Sequence, residues 1–89
     1  MASTRKENVI RFDADNDEVD GQFKINAIKV VATGASASAQ FRADKSASGA
    51  ILWESATLST GEVDFNQLTL HVQSGLHVDL SNCIVYIYI

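Results

Sequence analysis

The chain has little of several residue types, and each shortage narrows what it can be. It contains no proline and one cysteine among 89 residues. A lone Cys83 cannot form a disulfide within the chain, which favours folding in a reducing cytoplasm. Long apolar runs are missing too, because the longest strongly apolar run is the final one, too short for a transmembrane helix. No long apolar stretch follows residues 1–7, so we expect neither a secretory signal nor a membrane partner.

Basic residues are also scarce. The chain contains seven Lys and Arg residues and eleven Asp and Glu residues, which gives a formal net charge of −4. Only Arg5 and Lys6 are adjacent, and the other basic residues are scattered. Proteins that bind nucleic acids neutralise phosphates with clustered cations, so we expect no nucleic-acid partner.

Alternation of apolar and polar residues is what the chain does have. Ala37 to Ala43 and Leu68 to Val72 alternate with a period of two, and no window of helical length shows a period of 3.6. Turn residues recur about every 8–12 residues. The pattern predicts an all-β fold of about seven or eight strands, either a small antiparallel β-sandwich of jelly-roll type or a small barrel. Residues 1–7 are interpreted as a flexible polar arm and residues 8–89 as a single domain. A change of phase near Ala27 predicts either a β-bulge or a bend of the strand from one sheet to another.

The final strand is apolar on both faces. Cys83, Val85, Ile87 and Ile89 point to one side, and Ile84, Tyr86 and Tyr88 point to the other. A domain of this size can cover one face with its own core but has little material left for the second. We therefore expect the strand to form an apolar edge that contacts another copy of the chain or another partner. The residues predicted to mediate self-association are Tyr86, Tyr88 and Ile89.

No group of residues predicts catalysis. The acidic loop that contains Asp13, Asp15 and Asp17 resembles the first half of a calcium loop. However, Glu18 occupies the position that needs glycine and Lys24 the position of the bidentate glutamate, so a solvated loop is favoured and calcium remains the alternative.

The histidines and the cysteine carry no recognisable motif either. His71 and His77 lack the spacing of a metal site, and three well-placed ligands are the minimum for catalytic zinc. Cys83 has no neighbouring cation that would stabilise a thiolate, so we interpret it as an inert buried thiol. We expect no enzyme activity, no cofactor and no metal.

Four segments together carry a resemblance to a known family. They are residues 28–37, the Trp-Glu strand 51–55, residues 75–78 and the aromatic strand 85–89. Their order resembles that of small all-β virion proteins of tailed bacteriophages, of the capsid cement or decoration type, over roughly residues 23–89. The resemblance implies a homotrimer on the capsid surface that clamps neighbouring subunits of the major capsid protein and has no catalytic residue.

Contact with the shell is then expected from the first residues of the chain. The arm could order on the capsid as a tether, and the predicted capsid-contact residues are Arg5, Lys6, Ile10 and Phe12. Two other interpretations remain open. One is a fibre- or tail-associated module that binds a receptor or glycan through Trp53 or its loop tips. The other is a small ligand-binding or enzymatic barrel that would depend on His71 or His77.

Overall fold

The computed structural model describes residues 4–6, 8–15, 17–45 and 48–89, and these residues form β-strands joined by turns. Within these ranges no helix is long and apolar enough to cross a membrane. Nine strands run through the described residues: β1 (Thr4–Lys6), β2 (Val9–Phe12), β3 (Asp17–Val19), β4 (Phe23–Ala32), β5 (Ser38–Ala43), β6 (Ile51–Glu54), β7 (Val63–Val72), β8 (Leu76–Ser81) and β9 (Cys83–Tyr88).

The strands form two antiparallel sheets in a jelly-roll arrangement. The five-stranded sheet has the order β1-β2-β9-β4-β7, and the four-stranded sheet has the order β3-β8-β5-β6. The pairings are nested: β2 pairs with β9, β3 with β8, β4 with β7 and β5 with β6. This is a long hairpin rolled onto itself, which is the topology of a jelly roll. The predicted all-β sandwich is confirmed. The described residues form nine strands instead of the expected seven or eight, because β1 and β3 are short strands of three residues each.

Part of the predicted arm is a strand. Thr4–Lys6 pairs antiparallel with β2, with Thr4 opposite Arg11 and Lys6 opposite Val9. These residues therefore form the short edge strand of the five-stranded sheet, next to β2.

The core lies between the two sheets. Phe41 is fully buried, with its ring 6.5 Å from that of Phe12 and 5.3 Å from that of Trp53. Trp53 is partly buried and packs against the core from β6. The inward positions alternate along each strand, as the period-two pattern requires. The largest fully buried side chains are Phe12, Phe41, Ile25, Ile28, Leu76, Ile87, Val30, Val72, Val78 and Val85.

The predicted bulge in β4 is present. The register between β4 and β7 shifts between Ile25 and Ala27. Ile25 is buried before the shift, Ile28 and Val30 are buried after it, and Lys29 is only partly buried between them. The bulge thus keeps apolar side chains directed into the core along a ten-residue strand that would otherwise lose its phase.

The final strand does not form an edge, so that part of the prediction is wrong. β9 lies between β2 and β4 and pairs with both. The nested pairing places the last strand beside β2, which comes near the start of the chain. The edges of this sheet are β1 and β7.

Candidate interaction surface

The side of the five-stranded sheet that points away from the core is a mixed apolar and cationic surface, which we call the outer face. Opposed residues of antiparallel strands point to the same side, so the registers define three rows across β2, β9, β4 and β7. Read from β2 through β9 and β4 to β7, the first row is Val9, Tyr88, Ala27 and Gln67. The central row is Arg11, Tyr86, Lys29 and Phe65. The third row has no residue from β2 and consists of Ile84, Val31 and Val63.

The outer face exposes large apolar side chains. Val63 is 55% exposed and Phe65 is 53% exposed, and both lie on the edge strand β7. The Phe65 ring is 5.9 Å from the ring of Tyr88. Tyr86 and Tyr88 are partly buried rather than open, because they lie on an interior strand between side chains of β2 and β4. Exposed apolar side chains that are neighbours on one face, as Val63 and Phe65 are here, mark a candidate contact surface.

Two cations flank the ring of Tyr86. The Arg11 guanidinium carbon is 6.0 Å from its centroid, and Lys29 Nζ is 5.7 Å from it. Both distances lie in the range of cation–π attraction. Arg11 Nη1 also donates to Asp13 Oδ2 at 2.6 Å. A hydrogen bond to Tyr86, followed by that to Asp13, raises the pKa of Arg11, so its guanidinium stays charged on this face.

The predicted self-association residues separate into two groups. Tyr86 and Tyr88 lie on the outer face, but Ile89 is partly buried against the core, and its backbone N–H donates to the Asn8 carbonyl at 2.8 Å. Sequence reasoning did not single out Val63 and Phe65. The alternation of these two apolar residues with polar neighbours was the signal that could have identified them.

The predicted capsid-contact residues also need correction. Ile10 is 3% exposed and Phe12 is fully buried, because both point from β2 into the core. The folded domain therefore uses these side chains itself and cannot offer them to a partner. Arg5 and Lys6 lie on the edge strand β1, and their side chains fall outside the described part of the structure.

The outward side of the four-stranded sheet carries a polar network instead. His77 is 3% exposed, and its Nε2 lies 3.0 Å from Asp79 Oδ1. Arg42 Nε donates to Asp79 Oδ2 at 3.0 Å, and Arg42 Nη1 donates to the Gly49 carbonyl at 3.0 Å. Glu18 Oε2 lies 3.8 Å from His77 Nδ1. The ion pair between Arg42 and Asp79 joins β5 to β8 across the sheet and favours their observed register.

A shallow cavity of about 340 Å³ lies beside this network. Asp15 Oδ1 accepts from the Leu80 backbone N–H at 2.9 Å, and Gln40 Oε1 accepts from Arg42 Nη2 at 3.2 Å. Asp79, which also lines the cavity, is paired with Arg42 and His77. These side chains have structural partners within the fold, so we interpret the cavity as part of its polar support. It is lined by Asp15, Ser38, Gln40, Asp79, Leu80 and Ser81.

The structure does not bring the candidate metal ligands together. His71 is exposed on β7, whereas His77 is buried on β8 in the other sheet. In the acidic loop, Asp13 pairs with Arg11, and Asp17 is buried at the start of β3. Within the described residues, no three His, Cys, Asp or Glu side chains are placed to hold a metal ion.

Comparison with known proteins identifies no relative of this chain. No family model matches the chain, and neither a curated protein nor a solved structure shows significant similarity to it.

Proposed function

We propose that the chain is a structural virion protein that decorates a bacteriophage capsid and stabilises the shell as a homo-oligomer bound between subunits of the major capsid protein. The observation that carries this proposal is the outer face, where half-exposed Val63 and Phe65 adjoin Tyr86 and Tyr88. The jelly roll supports it, because that fold occurs in viral capsid proteins, and so does the family resemblance. Fold alone does not determine function, so the proposal depends on the surface.

The physical mechanism is mass action. A protein that binds the assembled shell but not its separated subunits stabilises the assembly by RT ln(1 + [L]/Kd) at each site. Burying apolar area contributes about 25 cal/mol per Å² before the costs of association. Each site can therefore be weak, since many identical sites on one shell act together.

Different parts of the domain serve the two kinds of contact. Self-association uses the aromatic and aliphatic side chains of the outer face, for which the family resemblance implies three copies. The shell is then contacted by other parts of the domain, including the edge strand β1 that carries Arg5 and Lys6. This division follows from the burial of Ile10 and Phe12, which removes them from the candidate contacts.

The test is co-sedimentation with purified, undecorated capsids of tailed bacteriophages. We expect saturable binding at a fixed ratio to the capsid lattice, together with a higher temperature of capsid disruption when the protein is bound. Capsids that neither bind the chain nor gain thermal stability across a panel of such phages would contradict the proposal.

The alternative, a receptor- or glycan-binding module, was expected to bind through Trp53 or through its loop tips, and the structure argues against Trp53. Trp53 was the aromatic residue expected to stack on a sugar, but its ring packs against Phe41 at 5.3 Å and contributes to the core. A glycan array probed with the purified domain decides the matter, because a specific signal would favour the module over the capsid role.

A further inference from the structure

We propose that the outer face is a two-fold symmetric interface for a second copy of this chain, with the axis parallel to the strands and located between β9 and β4. This inference rests on the self-association in the proposed function, but it replaces the three copies that the family resemblance implies with a pair, because packing one outer face on the same face of another copy closes as a two-fold dimer. Sheets that pack face to face lie about 10 Å apart with their strands roughly aligned. Such an axis places β9 over β4 of the second copy, and β2 over β7 of the second copy.

The central row of the outer face identifies the partner as a second copy. Across β2, β9, β4 and β7 the row reads Arg11, Tyr86, Lys29 and Phe65, which alternates cation and aromatic ring. Reversal of this row by the two-fold axis sets each cation over a ring. Tyr86 meets Lys29 of the second copy next to the axis, and Arg11 meets Phe65 of the second copy at the margin. Each is a favourable cation–π pair across the interface.

The other two rows are complementary in size. In one row Tyr88 comes to lie over Ala27 of the second copy, whose small side chain is only 6% exposed, so that a large ring faces the lowest position of the row. In the other row Ile84 meets Val31 of the second copy, which brings two aliphatic side chains together. The contact is therefore apolar above and below a cation–aromatic centre, with no anion opposed to an anion among the described residues near the axis.

The orientation of the axis follows from charge. If the two-fold axis ran across the strands instead, each strand would lie over its own copy. Lys29 would then face Lys29 and Arg11 would face Arg11, which sets like charges against each other at close range. The axis parallel to the strands removes these direct like-charge oppositions and sets each cation opposite a ring.

The size of the surface predicts how tight the contact is. Four strands spaced about 4.8 Å apart and three rows about 6.8 Å apart cover roughly 400 Å² per copy. This is about half of the roughly 800 Å² per partner in a standard interface, so we expect a weak, concentration-dependent dimer. Weak pairing suits a component that gains its strength from many copies on one shell.

Sedimentation velocity of the full chain from ~10 µM to ~1 mM tests the inference, with the range set by the small interface. We expect the wild-type protein to shift from monomer to dimer, or to another even number of copies. Phe65→Lys and Lys29→Glu should remove the shift, because the first sets an ammonium against Arg11 of the second copy and the second sets a carboxylate against the ring of Tyr86. Ile51→Lys is the matched control for Phe65→Lys, since Ile51 is 48% exposed on the opposite sheet and should leave the association unchanged.

A rescue variant separates the interface from a structural role. The rescue variant combines Lys29→Glu with Tyr86→Lys. Across the axis, Glu at position 29 of each copy then lies opposite Lys at position 86 of the other copy, and these two ion pairs should restore the dimer. Circular dichroism confirms that each variant remains folded. A chain that stays monomeric at ~1 mM, a trimer, or a Phe65→Lys protein that associates like the wild type would each overturn the two-fold interface. Capsid binding by such a chain would still uphold capsid decoration, the part of the proposed function that does not depend on this interface, so the two failures are distinguishable.

Discussion

At the scale of the residue, Cys83 is a buried thiol whose surroundings suppress its chemistry. Its Sγ donates to the Ser38 carbonyl at 3.2 Å, and the side chain is 6% exposed at the start of β9. Burial raises the pKa of this thiol above its ordinary value, although backbone hydrogen bonds with Ser81 and Ser38 act in the opposite direction. The reactive thiolate is therefore rarer in the folded protein than in the unfolded chain.

Alkylation kinetics test this account of Cys83. At near-neutral pH we expect iodoacetamide to react with the folded protein at least roughly 100-fold more slowly than with the urea-unfolded chain, because reaction requires local opening. The Cys83→Ala, Ile51→Cys variant is the control, since its thiol at an exposed site should react at nearly the unfolded rate. Equal rates for folded and unfolded wild-type protein would show that Cys83 is accessible.

Single residues also show where sequence reasoning stops. The alternation in residues 37–43 and 68–72 correctly identified inward and outward side chains, because that pattern is local to a strand. The roles of Phe12 and Phe65 were missed, since they depend on which strand lies opposite. Phe12 is buried because the four-stranded sheet covers β2, and Phe65 is exposed because nothing in the described structure lies over β7.

At the scale of the element, the turn between β8 and β9 carries the chain from one sheet to the other in a single residue. Asn82 has φ of 53°, in the left-handed region that most side chains avoid. Its Nδ2 donates to the Ala35 carbonyl at 2.9 Å, and its own carbonyl accepts from the Thr33 N–H at 2.8 Å. One residue thus joins two strands and anchors the turn after β4.

Two substitutions at Asn82 separate these contributions. Asn82→Gly keeps the left-handed conformation and loses the side-chain hydrogen bond, so it should lower the free energy of unfolding by about 1 kcal/mol. Asn82→Ala loses the same bond and keeps a Cβ in the left-handed region without the polar side chain that lets asparagine tolerate it, which should bring the loss to about 2–3 kcal/mol. Urea unfolding followed by Trp53 fluorescence measures both values. Equal losses would mean that the backbone conformation of this turn contributes nothing.

Element positions were harder to predict than element types. The β-branched and aromatic residues of β9 correctly predicted a strand with two apolar faces, yet its place inside the sheet was wrong. Apolar alternation reports which faces of a strand are buried, but it carries no information about which strand pairs with it. The partners of β9 are β2 and β4, and the pairing with β2 joins opposite ends of the chain.

At the scale of the whole molecule, nested pairing makes the fold depend on contacts between distant parts of the chain. Val9 pairs with Tyr88 and Phe23 pairs with Val72, so the ends of long segments must meet before these strands gain hydrogen bonds. Bringing these distant segments together costs chain entropy, and this cost arises before the hydrogen bonds between the paired strands can offset it. All-β folds of this kind fold in milliseconds to seconds, and we expect this chain to do the same.

The absence of proline makes that folding reaction simple to observe. Slow phases of about 10–100 s in refolding usually come from prolyl isomerisation, and this chain has no proline to isomerise. We therefore expect stopped-flow refolding, followed by Trp53 fluorescence at low protein concentration, to show one exponential phase. Its amplitude should not depend on how long the chain was held unfolded in a double-jump experiment. A phase of tens of seconds that grows with the unfolding delay would contradict this, because only a slow equilibrium in the unfolded chain could produce it.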